Sequence, residues 1–226
     1  MAPVPAHHQS GRSARSVLLF CNGEPPGRAL ARSLVSTADL VVAADGGANT
    51  ARRHGVRPHV IIGDLDSIRP ATRKAFASSM TIHVRRQDNT DLEKALDYLK
   101  GRGVAEVFIL GATGRRVDFT LANLSVMWKY TPPMNLTIIG DEWYAMAVQG
   151  RRSIPARPGT TVSLIPFGMC RGITLKGLQY PLTESSMRVG EIGVSNVVTR
   201  SPFTVIVRSG KMLVFVMAPY DHSVVR

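Results

Sequence analysis

The first 141 residues alternate between short apolar runs and segments whose apolar residues recur at helical spacing. Strand-length apolar runs that end in turn residues are typical of buried parallel strands. They predict strands at 17–22, 39–44, 60–62, 81–84, 107–110 and 136–139. The segments with helical spacing predict helices at 28–36, 48–54, 70–79, 91–100 and 119–130. Because alternating strands and helices build βαβ units, residues 16–141 are predicted to form an α/β domain around a parallel sheet.

The pattern changes after residue 141, where short segments rich in Val, Ile and Thr are separated by Gly, Pro and Ser. They predict strands at 143–148, 161–165, 171–175, 194–199, 203–207 and 212–217, with no helix between them. We therefore predict a small C-terminal β-sandwich domain over residues 142–226. Residues 1–15 are predicted to be a disordered tail. They lack the apolar segment of a secretory signal, so we expect a cytoplasmic protein.

Four short polar motifs contain six aspartates that recur near the ends of the predicted strands and helices. They lie at 44–47 (ADGG), 63–67 (GDLDS), 87–91 (QDNTD) and 114–118 (GRRVD). In open parallel sheets the ligand lies outside the carboxyl ends of the strands. We therefore expect these motifs to meet at one edge of the sheet and to form one site.

Composition adds a contrast, because the acidic motifs lie in a chain with 28 Lys and Arg, 16 Asp and Glu and a formal net charge of +12. Acidic groups in a basic protein indicate a divalent cation held against an anion, as in Mg²⁺-phosphate sites. The basic residues are spread along the chain and aromatics make up 6%, so nucleic-acid binding is disfavoured. No apolar run has the length of a membrane span. Two cysteines exclude a cysteine-based zinc site.

Asp64 and Asp66, two positions apart on a turn, can face one cation. Asp45 is followed by Gly46 and Gly47, where backbone amides can approach a phosphate or a nucleoside.

The polar side chains of Gln87, Asn89 and Thr90 suit a ribose or phosphates, although helix capping by Thr90 is an alternative. Arg115 or Arg116 can grip a phosphate, and the spacing does not choose between them.

Asp118 can tether an arginine or complete the metal site. The chain has no P-loop, no G-x-G-x-x-G after the first strand and no G-x-S-x-G. Metal-assisted phosphoryl or pyrophosphoryl transfer is the chemistry that these motifs favour.

In order and spacing, the four motifs resemble those of the thiamine pyrophosphokinase family, and 177–182 and 193–196 are similar to its C-terminal signature. Phe119 stands where the family pattern has a histidine. The resemblance implies Mg²⁺-dependent transfer of the ATP pyrophosphoryl group to the thiamine hydroxyl, giving thiamine diphosphate and AMP. It also implies an N-terminal α/β domain, a C-terminal β-sandwich, and a homodimer that binds thiamine where domains of two subunits meet.

Carried over by motif, the resemblance implies three sets of site residues. The catalytic set is Asp64, Asp66, Asp91, Asp118 and Arg116, and its four aspartates are the implied Mg²⁺ ligands. The implied ATP contacts are Asp45, Gly46, Gly47, Ser67, Gln87, Asn89, Thr90 and Arg115. Ser195 and Asn196 are the implied thiamine contacts. Asp91 or Asp118 is the candidate for accepting the hydroxyl proton.

Three other functions stay open at this point. The first is a pyrophosphokinase for another alcohol, such as a hydroxymethyl pterin. The second is a non-catalytic protein that binds nucleotide or thiamine. The third is a nucleic-acid-binding protein, for which the affinity would depend steeply on salt concentration.

Overall fold

A computed structural model describes residues 16–86, 88–191 and 193–221 of the chain. The predicted tail over residues 1–15 and the candidate ATP contact Gln87 lie outside these described residues.

Six parallel strands form the sheet of the N-terminal half. They are β1 (Ser16–Phe20), β2 (Leu40–Ala44), β3 (Val60–Gly63), β4 (Met80–His83), β5 (Glu106–Leu110) and β6 (Asn135–Ile139). Their order across the sheet is β6-β5-β1-β2-β3-β4. The chain therefore reverses direction across the sheet beside β1, where the strand order changes and where open α/β sheets bind ligands.

Five helices connect these strands. They are α1 (Arg28–Val35), α2 (Gly47–Arg53), α3 (Pro70–Ala75), α4 (Asp91–Lys100) and α5 (Val117–Tyr130). Leu18 and Phe20 of β1 pack with apolar residues of α1 and α2 on one face of the sheet. Val17 and Leu19 pack with α4 and α5 on the opposite face. Successive residues of β1 are thus buried on both faces, which explains the continuous apolar run in the sequence.

The C-terminal half is rich in antiparallel strands. They are β7 (Tyr144–Ile154), β8 (Thr161–Pro166), β9 (Cys170–Lys176), β10 (Leu182–Met187), β11 (Asn196–Val197) and β12 (Phe203–Met217). Strand β7 pairs with β6, so hydrogen bonding is continuous across the predicted domain boundary at residue 141. The described residues thus form a parallel α/β sheet followed by a strand-rich C-terminal region, as the pattern predicted.

The two strands predicted at 203–207 and 212–217 are one strand, β12. Its first part pairs with β9 and with the end of β7, and its second part pairs with β8 and with the start of β7. The register shifts between Val207 and Met212, and Gly210 in this segment has a φ of +90°. The glycine that predicted a break therefore makes a bulge that bends a continuous strand. Among the described residues, no helix has the length and apolar character that crossing a membrane requires.

Candidate active site

Asp45 follows β2 and lies almost entirely out of solvent, with 2% of its surface exposed. Its backbone amide donates to the carbonyl oxygen of Ile62 at 2.8 Å, which ties the first motif to the end of β3. A Cβ on Gly63 would lie 2.8 Å from the Cβ of Asp45, closer than carbon atoms approach. The glycine of the second motif is therefore what makes room for the aspartate of the first.

The N-terminus of α4 fixes the third motif. Thr90 is the N-cap: its hydroxyl accepts from the amide of Glu93 at 3.2 Å, and its own amide donates to the Glu93 carboxylate at 3.1 Å. This capping box holds the first helical turn, and with it Asp91, at the edge of the sheet. The capping role that the sequence left open for Thr90 is thus part of the structure.

One turn further along α4, the ammonium group of Lys94 contacts two motif aspartates. Its Nζ lies 2.8 Å from Oδ1 of Asp91 and 3.2 Å from Oδ2 of Asp64, and the lysine side chain is only 2% exposed. Burial opposes the charge of Lys94, but the two carboxylates outweigh burial and hold its pKa above the usual value. The lysine therefore stays protonated inside the site.

Asp45, Asp64 and Asp91 form one carboxylate cluster, in which one oxygen from each lies within 4.8 Å of the others. Oδ1 of Asp45 and Oδ1 of Asp64 are buried and accept no hydrogen bond from the described residues. Buried acceptors without a partner are costly, and three convergent carboxylates are the hard oxygen donors that Mg²⁺ takes. The residues present therefore fit a divalent cation.

Opposite effects act on the pKa values of two members of the cluster. Burial raises the pKa of Asp45 and outweighs hydrogen bonding with Ser67 and Gly46, which lowers it, while the charges of Asp91 and Asp64 add to the rise. Burial also raises the pKa of Asp64, but hydrogen bonding to Lys94 and the charge of that lysine outweigh burial and bring it below the usual value. The pKa values of these two neighbouring carboxylates are thus shifted in opposite directions, and a bound cation would favour the ionised form of Asp45.

The other two predicted metal ligands lie outside this cluster. Asp66 is exposed, and its Oδ1 accepts from the hydroxyl of Ser67 at 2.9 Å. Asp118 is also exposed and pairs with the guanidinium of Arg116 through Nε at 3.1 Å and Nη2 at 2.5 Å. The structure therefore brings together two of the four predicted ligands, Asp64 and Asp91, and adds Asp45 to them.

A cavity of about 350 Å³ opens beside the cluster, between the loops that follow β1 and β5. Gly23 and Gly111 let these loops approach each other, since a Cβ on Gly23 would lie 2.4 Å from the carbonyl oxygen of Gly111. The cavity is lined by Cys21, Asn22, Gly23, Ala44, Ser67, Thr90, Asp91, Leu92, Gly111, Ala112, Gly114, Arg115, Arg116, Phe119 and Asn123. Carboxylate, hydroxyl and guanidinium groups thus surround one space at the carboxyl ends of the strands.

Both candidate arginines line this cavity, but they are held differently. Nη1 of Arg115 donates to the carbonyl oxygen of Asn22 at 3.2 Å. The guanidinium carbon of Arg116 lies 4.4 Å from the centre of the Phe119 ring. Phe119, at the position of the family histidine, therefore supports Arg116 by a cation–π contact, while Asp118 fixes its orientation.

Three further candidate ATP contacts are placed by the structure. Gly46 and Gly47 begin α2, where a Cβ on Gly47 would lie 2.0 Å from the carbonyl oxygen of Phe20. A side chain at position 47 would therefore clash with β1, which requires glycine there independently of the predicted contact with a phosphate or nucleoside. Asn89 has a buried Oδ1 that accepts no hydrogen bond from the described residues, so it is free to serve a ligand.

The predicted thiamine contacts lie in the C-terminal half. The buried Asn196 donates to the backbone carbonyl of Tyr180 at 2.9 Å and accepts from the Tyr180 amide at 3.0 Å. Ser195 has a φ of +62°, and its amide donates to the hydroxyl of Ser163 at 3.2 Å. Asn196 therefore fixes the backbone of Tyr180, whose side chain is 62% exposed.

Sequence reasoning missed two residues that the structure places at the site. Lys94 is one, and its signal was a lysine three residues after Asp91 on the buried side of a predicted helix. Asn49 is the other: its amide nitrogen donates to the carbonyl of Ser67 at 2.8 Å, and its Oδ1 accepts from the amide of Arg69 at 3.0 Å. Asn49 thereby holds the loop of the second motif in place. No pattern in the sequence distinguishes it from other asparagines.

Two family profiles match most of the chain. One is described as "Thiamin pyrophosphokinase, catalytic domain" and matches residues 31–138, and the other as "Thiamin pyrophosphokinase, vitamin B1 binding domain" and matches residues 152–212. Thiamine pyrophosphokinase 3 of Oryza sativa subsp. japonica is 29% identical over 93% of this chain and 89% of the relative. Thiamine pyrophosphokinase 1 of Arabidopsis thaliana is 30% identical over 74% of each.

Solved structures show the same fold. The crystal structure of thiamine pyrophosphokinase from Bacillus subtilis superposes with a TM-score of 0.78 at 23% identity, covering 91% of this chain and 100% of that chain. With two matching profiles and relatives aligned over most of their length, the chain belongs to the thiamine pyrophosphokinase family.

Proposed function

We propose that this chain transfers the pyrophosphoryl group of ATP to the hydroxyl of thiamine, with Mg²⁺, and gives thiamine diphosphate and AMP. The observation that carries the proposal is the cluster of Asp45, Asp64 and Asp91. Two of its buried oxygens have no partner among the described residues, and it lies beside a cavity lined by two arginines. Family membership supplies the acceptor, because the relatives are named for thiamine.

The proposed roles follow from what each side chain contacts. Asp45, Asp64 and Asp91 would hold Mg²⁺, which, when bound, neutralises charge on the phosphate oxygens. Arg116 is held by Asp118 and would stabilise the negative charge of the transferring group. Asp66 and Asp118, the other two predicted ligands, are the next positions to test.

The proton of the thiamine hydroxyl needs an acceptor, and Asp91 and Asp118 are the two candidates. Asp91 shares its Oδ1 with Lys94, and Asp118 has both oxygens engaged by Arg116. Asp91 also belongs to the carboxylate cluster, so the informative variant is Asp118→Asn, and near wild-type turnover in that variant would exclude Asp118 as the base.

For the thiamine side we propose Ser195 as a direct contact and Asn196 as the residue that positions Tyr180. The exposed Tyr180 ring offers a π face, and the thiazolium of thiamine is a flat cation that binds well to such a face. We further propose that this surface and the carboxylate cluster belong to one composite site between two subunits of a homodimer.

The test is incubation of the full chain with ATP, Mg²⁺ and thiamine, followed by chromatography of the products. Equal amounts of AMP and thiamine diphosphate are expected, whereas ADP with thiamine monophosphate would contradict pyrophosphoryl transfer. Asp64→Asn should abolish turnover. Asp88→Asn is the matched control, because Asp88 lies in the third motif but pairs on the surface with Arg86. A hydroxymethyl pterin offered instead of thiamine tests the rival acceptor.

The composite site has its own test. Asp64→Asn, expected to be inactive, and Ser195→Ala, expected to be weakly active, are purified separately and then mixed to allow subunit exchange. If each site takes residues from both subunits, mixing restores part of the wild-type activity. A mixture no more active than its components would place each site within one subunit.

A further inference from the structure

Lys94 is a buried cation that the proposed reaction does not require. Its side chain is 2% exposed, its ammonium contacts two carboxylates, and Lys94 is not one of the residues that line the cavity. It contacts Oδ2 of Asp64 and Oδ1 of Asp91, and it leaves Oδ1 of Asp64 and Oδ1 of Asp45 without a partner among the described residues. The lysine therefore uses one set of oxygens and leaves another set for a ligand.

The net charge of Asp45, Asp64, Asp91 and Lys94 depends on the lysine. When a bound cation keeps all three carboxylates ionised, they and the ammonium of Lys94 together carry a charge of −2, which is opposite to that of one divalent cation. Without Lys94 the same carboxylates would present −3. Because attraction scales with the product of the charges, removing one positive charge favours a trivalent cation more than a divalent one.

We propose that Lys94 is a positioning residue that acts as a fixed internal counter-ion and thereby lowers the affinity of the carboxylate cluster for trivalent cations relative to divalent ones. This inference rests on the metal site of the proposed function. Hard trivalent cations take the same oxygen ligands, so the charge of Lys94 is the feature that reduces their advantage over a divalent cation at this site.

The experiment measures cation binding to the full chain without nucleotide. Mn²⁺ is the probe, its free concentration is read by electron paramagnetic resonance, and La³⁺ competes for the site. In Lys94→Met, where a neutral side chain of similar length fills the space, the affinity for La³⁺ relative to Mn²⁺ should rise about tenfold or more. Lys100→Met is the control, since it removes the same charge from an exposed position of the same helix and should leave the ratio unchanged.

A second variant keeps the test valid if three unbalanced carboxylates prevent Lys94→Met from folding. Asp45→Asn combined with Lys94→Met returns the charge to −2 without the lysine, so its La³⁺ to Mn²⁺ ratio should match that of the wild type. A ratio in Lys94→Met within twofold of the wild type would overturn the proposal. So would a double variant whose ratio exceeds that of the wild type by tenfold, because charge would then not be the cause.

The outcomes also separate this inference from the proposed function. Wild-type protein that binds no Mn²⁺ overturns both the metal site and the role of Lys94. Wild-type protein that binds Mn²⁺ with the expected change in Lys94→Met, but makes no thiamine diphosphate, supports the role of Lys94 and contradicts the proposed reaction.

Discussion

Asp45→Asn is expected to stabilise the metal-free protein while it weakens cation binding. Asp45 is 2% exposed, its Oδ1 has no partner among the described residues, and two further carboxylates lie within 4.8 Å. Asparagine has nearly the same shape but no charge, and its amide can donate to the neighbouring carboxylates. The substitution therefore removes repulsion without leaving a cavity.

The size of the effect follows from the separation of the charges. Two carboxylates 4.8 Å apart repel each other by about 3.5 kcal/mol at an effective dielectric constant of about 20. Lys94 offsets much of this repulsion, and Asp45 can take up a proton, which limits the cost of keeping it ionised. We therefore expect the free energy of unfolding to rise by about 1–3 kcal/mol in Asp45→Asn.

The sign of the pH dependence follows from the raised pKa of Asp45. In the folded protein this pKa lies above its unfolded value of about 3.9, so the folded state holds the proton more tightly. Its contribution to stability is therefore fully present below about pH 4 and is lost as the pH rises through the folded pKa. Asp45→Asn has no carboxyl group to ionise at this position and does not lose stability in this way. The difference in the free energy of unfolding between Asp45→Asn and the wild type should therefore be near zero in acid and should grow with pH.

The assay is urea unfolding of both proteins in EDTA from pH 4 to pH 8, repeated with Mg²⁺ at pH 8. Mg²⁺ should stabilise the wild type and have little effect on Asp45→Asn. The reasoning would be refuted if Asp45→Asn were less stable than the wild type in EDTA at pH 8, or if the difference between them did not change with pH.

Three further substitutions test how the site is held. Thr90→Ala removes the N-cap of α4 and should lower the free energy of unfolding by about 1 kcal/mol in urea. Gly47→Ala places a Cβ 2.0 Å from the Phe20 carbonyl and should lower it by about 3 kcal/mol, or prevent soluble expression. Arg116→Ala should leave the urea midpoint unchanged, because its pair with Asp118 is exposed, but should lower kcat about 100-fold in the AMP assay.

Each of these has a matched control. Thr199→Ala removes an exposed threonine outside any helix or strand and should change stability little. Gly101→Ala meets its nearest atoms at 3.6 Å, an ordinary contact, so it should be tolerated. Arg86→Ala breaks a similar exposed pair with Asp88 and should retain full activity. Loss of activity in Arg86→Ala as large as in Arg116→Ala would contradict the specific role of Arg116.

The family predicted from the four motifs is confirmed, and the fold class with it. The parallel strands were predictable because burial on both faces leaves a continuous apolar run. Strand β10 was missed because its sequence, LTESSM, is polar and mostly exposed, and among the described strands it pairs with β9 alone. Helix α3 ends at Ala75, where the sequence predicted 79, since Phe76 turns into the core and Ser79 bonds to the Pro58 carbonyl at 2.7 Å.

The convergence of the motifs was also predictable, since parallel strands end at one edge, but the choice among their aspartates was not. Leu65 has a φ of +69°, a left-handed conformation that is uncommon for leucine and could not be predicted from the sequence. In this loop Asp64 lies within the cluster and Asp66 is exposed. Asp45 joins the cluster through the space that Gly63 leaves, which becomes visible only when two loops are seen together.

The position of Lys94 links the stability of the fold to the chemistry of the site. Three carboxylates gathered for a cation repel one another when the cation is absent, so an empty site of this kind would weaken the protein that carries it. A buried lysine on the same helix as Asp91 relieves part of that repulsion through Asp64 and Asp91, and it leaves Asp45 as the carboxylate with a raised pKa. If positive side chains neutralised all three carboxylates, the cluster would no longer attract a cation. If none did, the metal-free protein would carry the full repulsion among the three carboxylates. Oδ1 of Asp45 and Oδ1 of Asp64 accept no hydrogen bond from the described residues. The negative charge that Lys94 does not neutralise therefore remains available to attract a cation at these oxygens.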